Sequence, residues 1–191
     1  MITGLEFNIP QKKDFLIFDN LKINILEKYT GKSFNVVAFR KKEYNFFALI
    51  YALIFSFKTE FKVEYINFFL NFTNKKVLIS FNYNRLILYR IKKYYPSVKI
   101  IIVQNGLCNN YFIDRLKKSN SKPSCDYFFC MTDIEKNILK KYISAKFIVI
   151  GSFLNNHFYK KEKETKKKEV LLISQYRNKE SSKLFQKNYT K

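Results

Sequence analysis

The sequence predicts an α/β fold: a Rossmann-like, doubly wound domain whose mostly parallel sheet is flanked by helices. Three observations support this prediction. Short runs of apolar, β-branched and aromatic residues alternate along the chain with helix-like segments. The runs are continuously apolar, which is typical of parallel strands buried on both faces. The connections between segments are short, as in sheets built from strand–helix–strand units.

The strands are predicted from the short apolar runs. In chain order they are Phe15–Phe18, Asn35–Phe39, Lys76–Phe81, Lys99–Val103, Tyr127–Met131, Phe147–Ile150 and Val170–Ile173. Their aromatic and β-branched residues favour strands because such side chains pack well on a pleated surface. Helices are predicted between them, where apolar residues recur at helical spacing. In chain order these are Leu21–Tyr29, Tyr44–Phe57, Val63–Asn71, Arg85–Tyr95, Asn110–Lys118 and Asp133–Tyr142.

Two helix ends carry recognisable signals. Thr132 precedes the helix Asp133–Tyr142, and Glu135 follows in its first turn, which is the pattern of a capping box. Pro96 follows the helix Arg85–Tyr95 and predicts that it ends there. The first signal marks where a helix begins, and the second marks where a helix ends.

The most apolar stretch of the chain is Phe46–Phe57, with the sequence FFALIYALIFSF. It is shorter than the roughly 20 residues that a membrane-spanning helix needs. We predict a helix buried against the sheet. A helix that dips into a membrane surface is the alternative.

The composition suits one domain of ordinary size, because an apolar fraction of 47% can fill a core. The chain has 36 Lys and Arg against 15 Asp and Glu, which gives a net charge of +21. Such a charge attracts phosphates, anionic lipid headgroups and polyanionic sugars. A genome biased toward A/T-rich codons is an alternative source of the lysines, since Asn, Ile, Phe and Tyr are abundant as well.

The three cysteines are Cys108, Cys125 and Cys130, and we expect reduced thiols in a cytoplasmic protein. An odd number of cysteines does not suit a disulfide framework. Their spacing and the distant single His predict no metal site. No secretory signal is expected, because no basic patch precedes an apolar run before Asp14.

Polar and small residues follow each predicted strand, where ligands bind in an open parallel sheet. The candidate site residues at these ends are Asp19, Arg40, Asn82, Gln104, Asn105, Gly106, Gly151 and Ser152. Solvated loops are the alternative interpretation, because strand ends are polar in any fold. The catalytic residue stays unassigned, since neither a Ser-His-Asp order nor a pair of carboxylates at catalytic spacing emerges.

The segment IIIVQNG ends in an amide pair and a glycine just past a buried strand. Gln104 and Asn105 can bind sugar hydroxyls, and Gly106 can adopt a positive φ. An ordinary Asn-Gly turn explains the same residues equally well, so both interpretations stay open. Gly151 and Ser152, after the strand FIVI, can offer backbone N–H groups to a phosphate or carboxylate.

Three other residues also have competing interpretations. Asp19 is either a general base toward a substrate hydroxyl or the N-cap of the helix that follows it. Arg40, together with Lys41 and Lys42, either binds an anionic ligand or solvates its loop. His157 is a weak candidate base, because it has no carboxylate partner at a fixed spacing.

Four stretches carry a resemblance to a known family: VLISFNYN, YRIKKYYPSVKIIIVQNG, CDYFFCMTDIEKNILKKYISAKFIVIGSFLNN and VLLISQYR. They resemble bacterial surface carbohydrate (capsule and polysaccharide) biosynthesis proteins, which are glycosyltransferases with two Rossmann-like domains, the GT-B type. The resemblance extends from about Asp14 to Arg177. It is most specific in VQNG, in the DYFF strand and in FIVIGSF.

The resemblance implies that this chain supplies the acceptor-side half of such an enzyme, while the other half binds a nucleotide-sugar donor. It implies sugar transfer without a metal and without a further cofactor, because helix N-termini and basic side chains stabilise the leaving phosphate. The expected partners are a saccharide or lipid-linked acceptor and a second half on another chain. We also expect a cytoplasmic location with peripheral contact to the anionic inner face of the membrane.

The predicted organisation has three parts: a Rossmann-like acceptor-side domain over 1–156, a charged linker over 157–168, and the first strand of a second domain within 169–191. We therefore expect a truncated, split or remnant gene, inactive alone. A different class of function is a non-catalytic basic module for a membrane surface or nucleic acid. Nucleic acid is the less expected ligand, because the aromatic residues lie mainly inside predicted strands and helices.

Overall fold

The computed structural model describes residues 4–20, 23–31, 33–39, 43–119 and 121–153. Four sequence predictions lie outside these residues. They concern Arg40 with its neighbouring lysines, His157, the charged linker, and the strand Val170–Ile173.

The described chain alternates strands and helices. The elements are β1 (Gly4–Glu6), β2 (Phe15–Phe18), α1 (Ile23–Thr30), β3 (Phe34–Val37), β4 (Glu43–Asn45), α2 (Phe46–Phe55), α3 (Phe61–Leu70), β5 (Val77–Ser80), α4 (Leu86–Tyr94), β6 (Lys99–Val103), α5 (Asn110–Lys117), β7 (Ser124–Cys130), α6 (Asp133–Leu139) and β8 (Ser144–Val149). Six strands form one sheet in the order β3-β2-β5-β6-β7-β8. Every neighbouring pair in it is parallel, which confirms the predicted α/β class with a parallel sheet.

The two faces of the sheet are buried to different degrees. In β6, Ile100 and Ile102 are completely buried, and Ile101 on the opposite face is partly buried. Helix α3 contacts β2 and β3, α4 contacts β6 and β7, and α6 contacts β7 and β8. Leu16 of β2 and Phe128 of β7 are also completely buried, so the core extends across the sheet.

Two strands of the structure, β1 and β4, were not predicted from the sequence. Strands β1 and β4 form a separate two-stranded parallel sheet in which Leu5 lies opposite Tyr44. Each has three residues, and their sequences GLE and EYN carry too few apolar positions to show a strand pattern.

The helix ends follow local sequence signals. Thr132 is the N-cap of α6, and its hydroxyl accepts a hydrogen bond from Glu135 N–H at 3.2 Å, as the capping-box pattern predicted. Asn109 caps α5 in the same way through Phe112 N–H at 2.9 Å. Helix α4 ends at Tyr94, just before Pro96. These caps satisfy backbone donors that would otherwise lack partners inside the helices.

Helix α2 packs mainly on α3 and most of its residues are not buried, so the prediction of a helix buried against the sheet was wrong. Within α2 only Ala48 and Ala52 are buried, and these small side chains let the two helices approach closely. The outer face of α2 is apolar and exposed; Leu53, for example, is 62% exposed. Among the described residues, no helix has both the length and the apolar character needed to cross a bilayer.

Candidate functional site

The strand order creates a crevice at the carboxyl edge of the sheet. Strand β2 lies between β3, which follows it directly in this sheet, and β5, which comes later in the chain. The connections after β2 and β5 therefore leave in opposite directions. In doubly wound folds, such a switch point is where ligands bind.

Two predicted site residues meet at this switch point. Asp19 follows β2, Asn82 follows β5, and Asn82 Nδ2 donates a hydrogen bond to Asp19 Oδ2 at 3.0 Å. Both side chains are nearly buried, at 3% and 5% exposure. Helix α1 is described from Ile23, and residues 21 and 22 lie outside the described residues, so both interpretations of Asp19, general base and N-cap, stay predictions. The geometry holds the Asp19 carboxylate in a fixed orientation.

The backbone at Asp19 is also unusual. Its φ of 70° lies in the left-handed region, which Asp tolerates better than most residues but which still costs free energy. Asp19 Oδ1 accepts the N–H of the next residue, Asn20, at 2.9 Å. Strained backbone of this kind concentrates at functional sites.

A cleft of about 420 Å³ opens at the switch point and includes Asp19 in its wall. Its basic residues are Lys62, Arg85, Arg90 and Arg115. Glu60, also in the wall, forms an ion pair with Arg90. The cleft carries more positive than negative charge and therefore attracts anions.

The three arginines of the cleft were not predicted as site residues from the sequence. Arg85 immediately precedes α4 and lies just beyond the polar residues after β5, so a closer look at that strand end would have found it. Arg115 lies on α5, with its guanidinium 5.7 Å from the ring centre of Tyr111, and Nη1 donates to Asn84 O at 3.4 Å. Nothing in the local sequence of α5 distinguishes Arg115 from a solvated helix residue.

A larger groove of about 720 Å³ adjoins the cleft, running between α4, α5 and the start of β7. It shares Arg90 and Arg115 with the cleft and adds Lys93, Lys118 and Lys122. The cleft and the groove together form a basic surface that continues from the switch point along α4 and α5.

The Gln104 side chain is buried and forms its hydrogen bonds within the protein. It is 1% exposed, and its Nε2 donates to Gly106 O at 2.8 Å and to Glu135 Oε1 at 2.6 Å. Its Oε1 accepts Met131 N–H at 3.1 Å. Gln104 thus fixes the loop after β6, while Asn105 and Gly106 are partly exposed in that loop.

Glu135 is the common acceptor of this loop. Besides Gln104, its Oε1 accepts Cys108 N–H at 2.8 Å, and the carboxylate is 7% exposed. Burial, together with the nearby Glu135 charge, raises the pKa of the Cys108 thiol to about 11. Cys108 is therefore a protonated thiol at neutral pH, which does not suit a nucleophile.

Of the two candidate site glycines, Gly151 has a positive φ and Gly106 does not. Gly151 has a φ of 73°, whereas Gly106 is absent from the residues with positive φ among those described. Gly151 and Ser152 are partly exposed after β8. The ring of the next residue, Phe153, packs at a tilt against that of Phe81, which follows β5, with ring centres 5.1 Å apart. The chain after β8 thus reaches back toward the switch point.

The structure therefore divides the predicted site residues into groups. Asp19 and Asn82 form a hydrogen bond with each other. Asn82 and Ser152 are linked through their neighbours Phe81 and Phe153, whose rings are in contact. Gln104, Asn105 and Gly106 belong to the loop that Glu135 holds. Arg40 lies outside the described residues.

Comparison with known proteins gives one finding for the second half of the chain. Residues 101–191 match the model of a family described as "putative O-antigen biosynthesis protein". No curated protein and no solved structure shows significant similarity to the chain. The matched residues cover slightly less than half of the chain and include the loop after β6 and the residues after β8. Since O antigen is a surface polysaccharide, this likeness supports a link with surface carbohydrate biosynthesis.

Proposed function

We propose that this domain binds the acceptor of a glycosyltransferase that works in surface polysaccharide biosynthesis. The observation that carries the proposal is the switch-point cleft, which combines the oriented Asp19 carboxylate with the guanidinium groups of Arg85 and Arg115. The family likeness of residues 101–191 supplies the biosynthetic context.

The cleft fits a saccharide that carries a phosphate, such as a lipid-linked acceptor. Guanidinium groups bind phosphate oxygens through paired hydrogen bonds, so Arg85 and Arg115 would hold the phosphate. Asp19 would accept the proton of an acceptor hydroxyl as its oxygen bonds to the anomeric carbon of the donor sugar. The nucleotide leaves with the electron pair of the broken glycosyl–phosphate bond. The donor is a nucleotide sugar in this proposal, bound outside residues 4–153.

The loop after β6 has a supporting part in the proposal. Because Gln104 and Glu135 fix its backbone, Asn105 and Gly106 present a constant surface at the carboxyl edge. A Cβ at Gly106 would meet no atom within 4 Å, so the loop is open at this residue.

Binding of a simple probe tests the cleft. Glucose 1-phosphate should bind the full chain measurably by calorimetry, and glucose should bind far more weakly because it lacks the charge. Arg115→Ala should weaken the binding about tenfold, the order expected for one lost hydrogen bond to a charged group. Lys99→Ala is the control, because Lys99 is an exposed cation at the amino end of β6. Equal binding of both sugars would contradict the proposal.

A genetic experiment tests the pathway and the role of Asp19. Deletion of the gene in the source organism should alter the electrophoretic ladder of its surface polysaccharide. The wild-type gene and Lys99→Ala should restore the ladder. Asp19→Asn keeps the shape and the hydrogen-bonding capacity toward Asn82 but cannot take up the proton, so it should bind the probe without restoring the ladder. An unchanged ladder after deletion would refute the function.

The groove beside the cleft favours a second candidate, a non-catalytic module that binds polyanions. Five cations line it or its junction with the cleft: Arg90, Lys93, Arg115, Lys118 and Lys122. Filter binding to single-stranded DNA over a series of salt concentrations discriminates the two candidates. Tight binding that weakens steeply with salt favours the module, whereas weak binding favours the acceptor domain.

A further inference from the structure

Helix α2 presents an apolar stripe that the other described residues leave at least one third exposed. Phe47, Ile50, Leu53, Ile54 and Phe57 recur at helical spacing on the side away from α3, and each is exposed. Phe57, in the turn just after α2, is 91% exposed. Exposed apolar patches of this kind mark interaction surfaces.

The charges at the tip of this stripe are positive. Lys58 and Lys62 flank the turn between α2 and α3, and both are exposed. The acidic residues nearby are already engaged: Glu60 pairs with Arg90, and Glu64 is 1% exposed with hydrogen bonds to Asn67 and Tyr95. Glu6 is exposed at the opposite end of α2, about 15 Å away by the rise of ten residues.

We infer that the α2 stripe docks this protein on the surface of an anionic lipid bilayer. An apolar face that lies in the interface, with lysines beside it, is the pattern of helices that lie in the bilayer plane. A projecting side chain such as Phe57 enters a fluid bilayer without a preformed pocket, whereas a folded partner must supply one. The net charge of +21 adds attraction to anionic headgroups.

This inference goes beyond the proposed function, since it rests on α2 and not on the cleft. The two surfaces are nonetheless adjacent, because Glu60, just before α3, and Lys62, in the first turn of α3, also line the cleft. A docked protein would hold the cleft near the membrane surface, where lipid-linked saccharides reside.

Vesicle flotation with the full purified chain tests the inference. The vesicles contain either phosphatidylcholine alone or equal parts of phosphatidylcholine and phosphatidylglycerol, without any saccharide, so the result does not depend on the proposed function. The chain should float with the anionic vesicles and much less with the neutral ones. Phe57→Ser should weaken the binding about tenfold, the effect of losing one buried aromatic side chain. Lys58→Glu should weaken it by about the same factor.

Two matched controls separate docking from general stickiness and charge. Ile134→Ser removes an apolar side chain outside the stripe, 74% exposed on α6, and Lys99→Glu reverses an exposed charge at the amino end of β6. Both should float like the wild type, and circular dichroism should show the same fold for all variants. Absence of flotation, or equal flotation of Phe57→Ser and the wild type, overturns the inference. A wild-type dimer that Phe57→Ser turns into a monomer, with unchanged flotation, assigns the stripe to a second copy instead.

Discussion

Asn82 Nδ2 lies 3.0 Å from Asp19 Oδ2, which joins two residues that are 63 positions apart in the chain. The hydrogen bond connects the ends of β5 and β2 at the point where the sheet changes direction. The Asn82 N–H in turn donates to Ser80 Oγ at 3.0 Å, so the donor is itself held in place. The switch-point carboxylate is therefore oriented by the fold before any ligand arrives.

Removing this donor should cost stability. Asn82→Ala leaves the nearly buried Asp19 carboxylate with one hydrogen bond fewer, and we expect a loss of about 1–3 kcal/mol in the free energy of unfolding. Urea denaturation measures the change. Asn137→Ala, at an exposed position of α6, is the control and should stay within about 0.5 kcal/mol. Equal effects of the two substitutions would show that the Asn82 bond does not stabilise the fold.

The two glycines at strand ends should respond differently to alanine. Gly151→Ala places a Cβ on a residue with φ of 73° and should cost about 1–2 kcal/mol. Gly106→Ala meets no atom within 4 Å and has no positive φ, so stability should hold or rise by about 0.4–1 kcal/mol. Thermal unfolding of both variants compares them directly. The reverse order would mean that the loop after β6 is the strained one.

Glu135 should be the most sensitive acidic residue of α6. Glu135→Ala removes the charged acceptor of Gln104 Nε2 and Cys108 N–H, which leaves buried donors without it. We expect a loss of about 1.5–3 kcal/mol, measured by urea denaturation. Asp114→Ala on α5 removes an exposed carboxylate and should change stability by less than about 0.5 kcal/mol. A small effect at Glu135 would contradict its role as the common acceptor.

Alkaline pH should destabilise the protein through its buried thiols. Burial raises the pKa of both Cys125 and Cys130 from 9.0 to about 12. Between these values the unfolded chain has lost the thiol protons and the folded chain has kept them, so the folded state binds more protons. The free energy of unfolding is thus unaffected by these groups below pH 9.0 and falls as pH rises toward 12.

Urea denaturation over this pH range measures the slope. Cys125→Ala removes one of the two thiols, so its stability should fall less steeply with pH than that of the wild type. The slope is the readout, because the substitution also changes packing. An identical slope in the variant would show that Cys125 does not titrate in this way.

Much of the sheet was predictable because its strands are short, continuously apolar runs, which is the pattern of a parallel sheet. The bounds of β2 and β6 agree with the predicted Phe15–Phe18 and Lys99–Val103. Strands β7 and β8 begin earlier than predicted, at Ser124 and Ser144, because sheet pairing extends into polar residues that carry no apolar signal. Hydrogen bonding, which decides strand ends, does not depend on side-chain polarity.

The site was less predictable, because local sequence patterns do not determine which strands pair with each other. Asp19 and Asn82 were both candidates, but their contact depends on β5 pairing with β2 and not with β3. Arg115 enters the cleft from α5 for the same reason. For α2, the sequence is apolar on all sides of the helix, so it could not predict which face packs on α3 and which faces outward.

The place of β2 in the sheet also has a consequence for the order of events on the ribosome. Strand β2 pairs with β5 through Leu16 and Leu78, which leave the ribosome far apart in time. Until β5 emerges, β2 has only β3 beside it in this sheet, and a two-stranded pair is marginal in water. Long-range pairing of this kind forms slowly. The nascent chain therefore exposes its N-terminal apolar strands until β5 has been made, and the switch point is assembled only then.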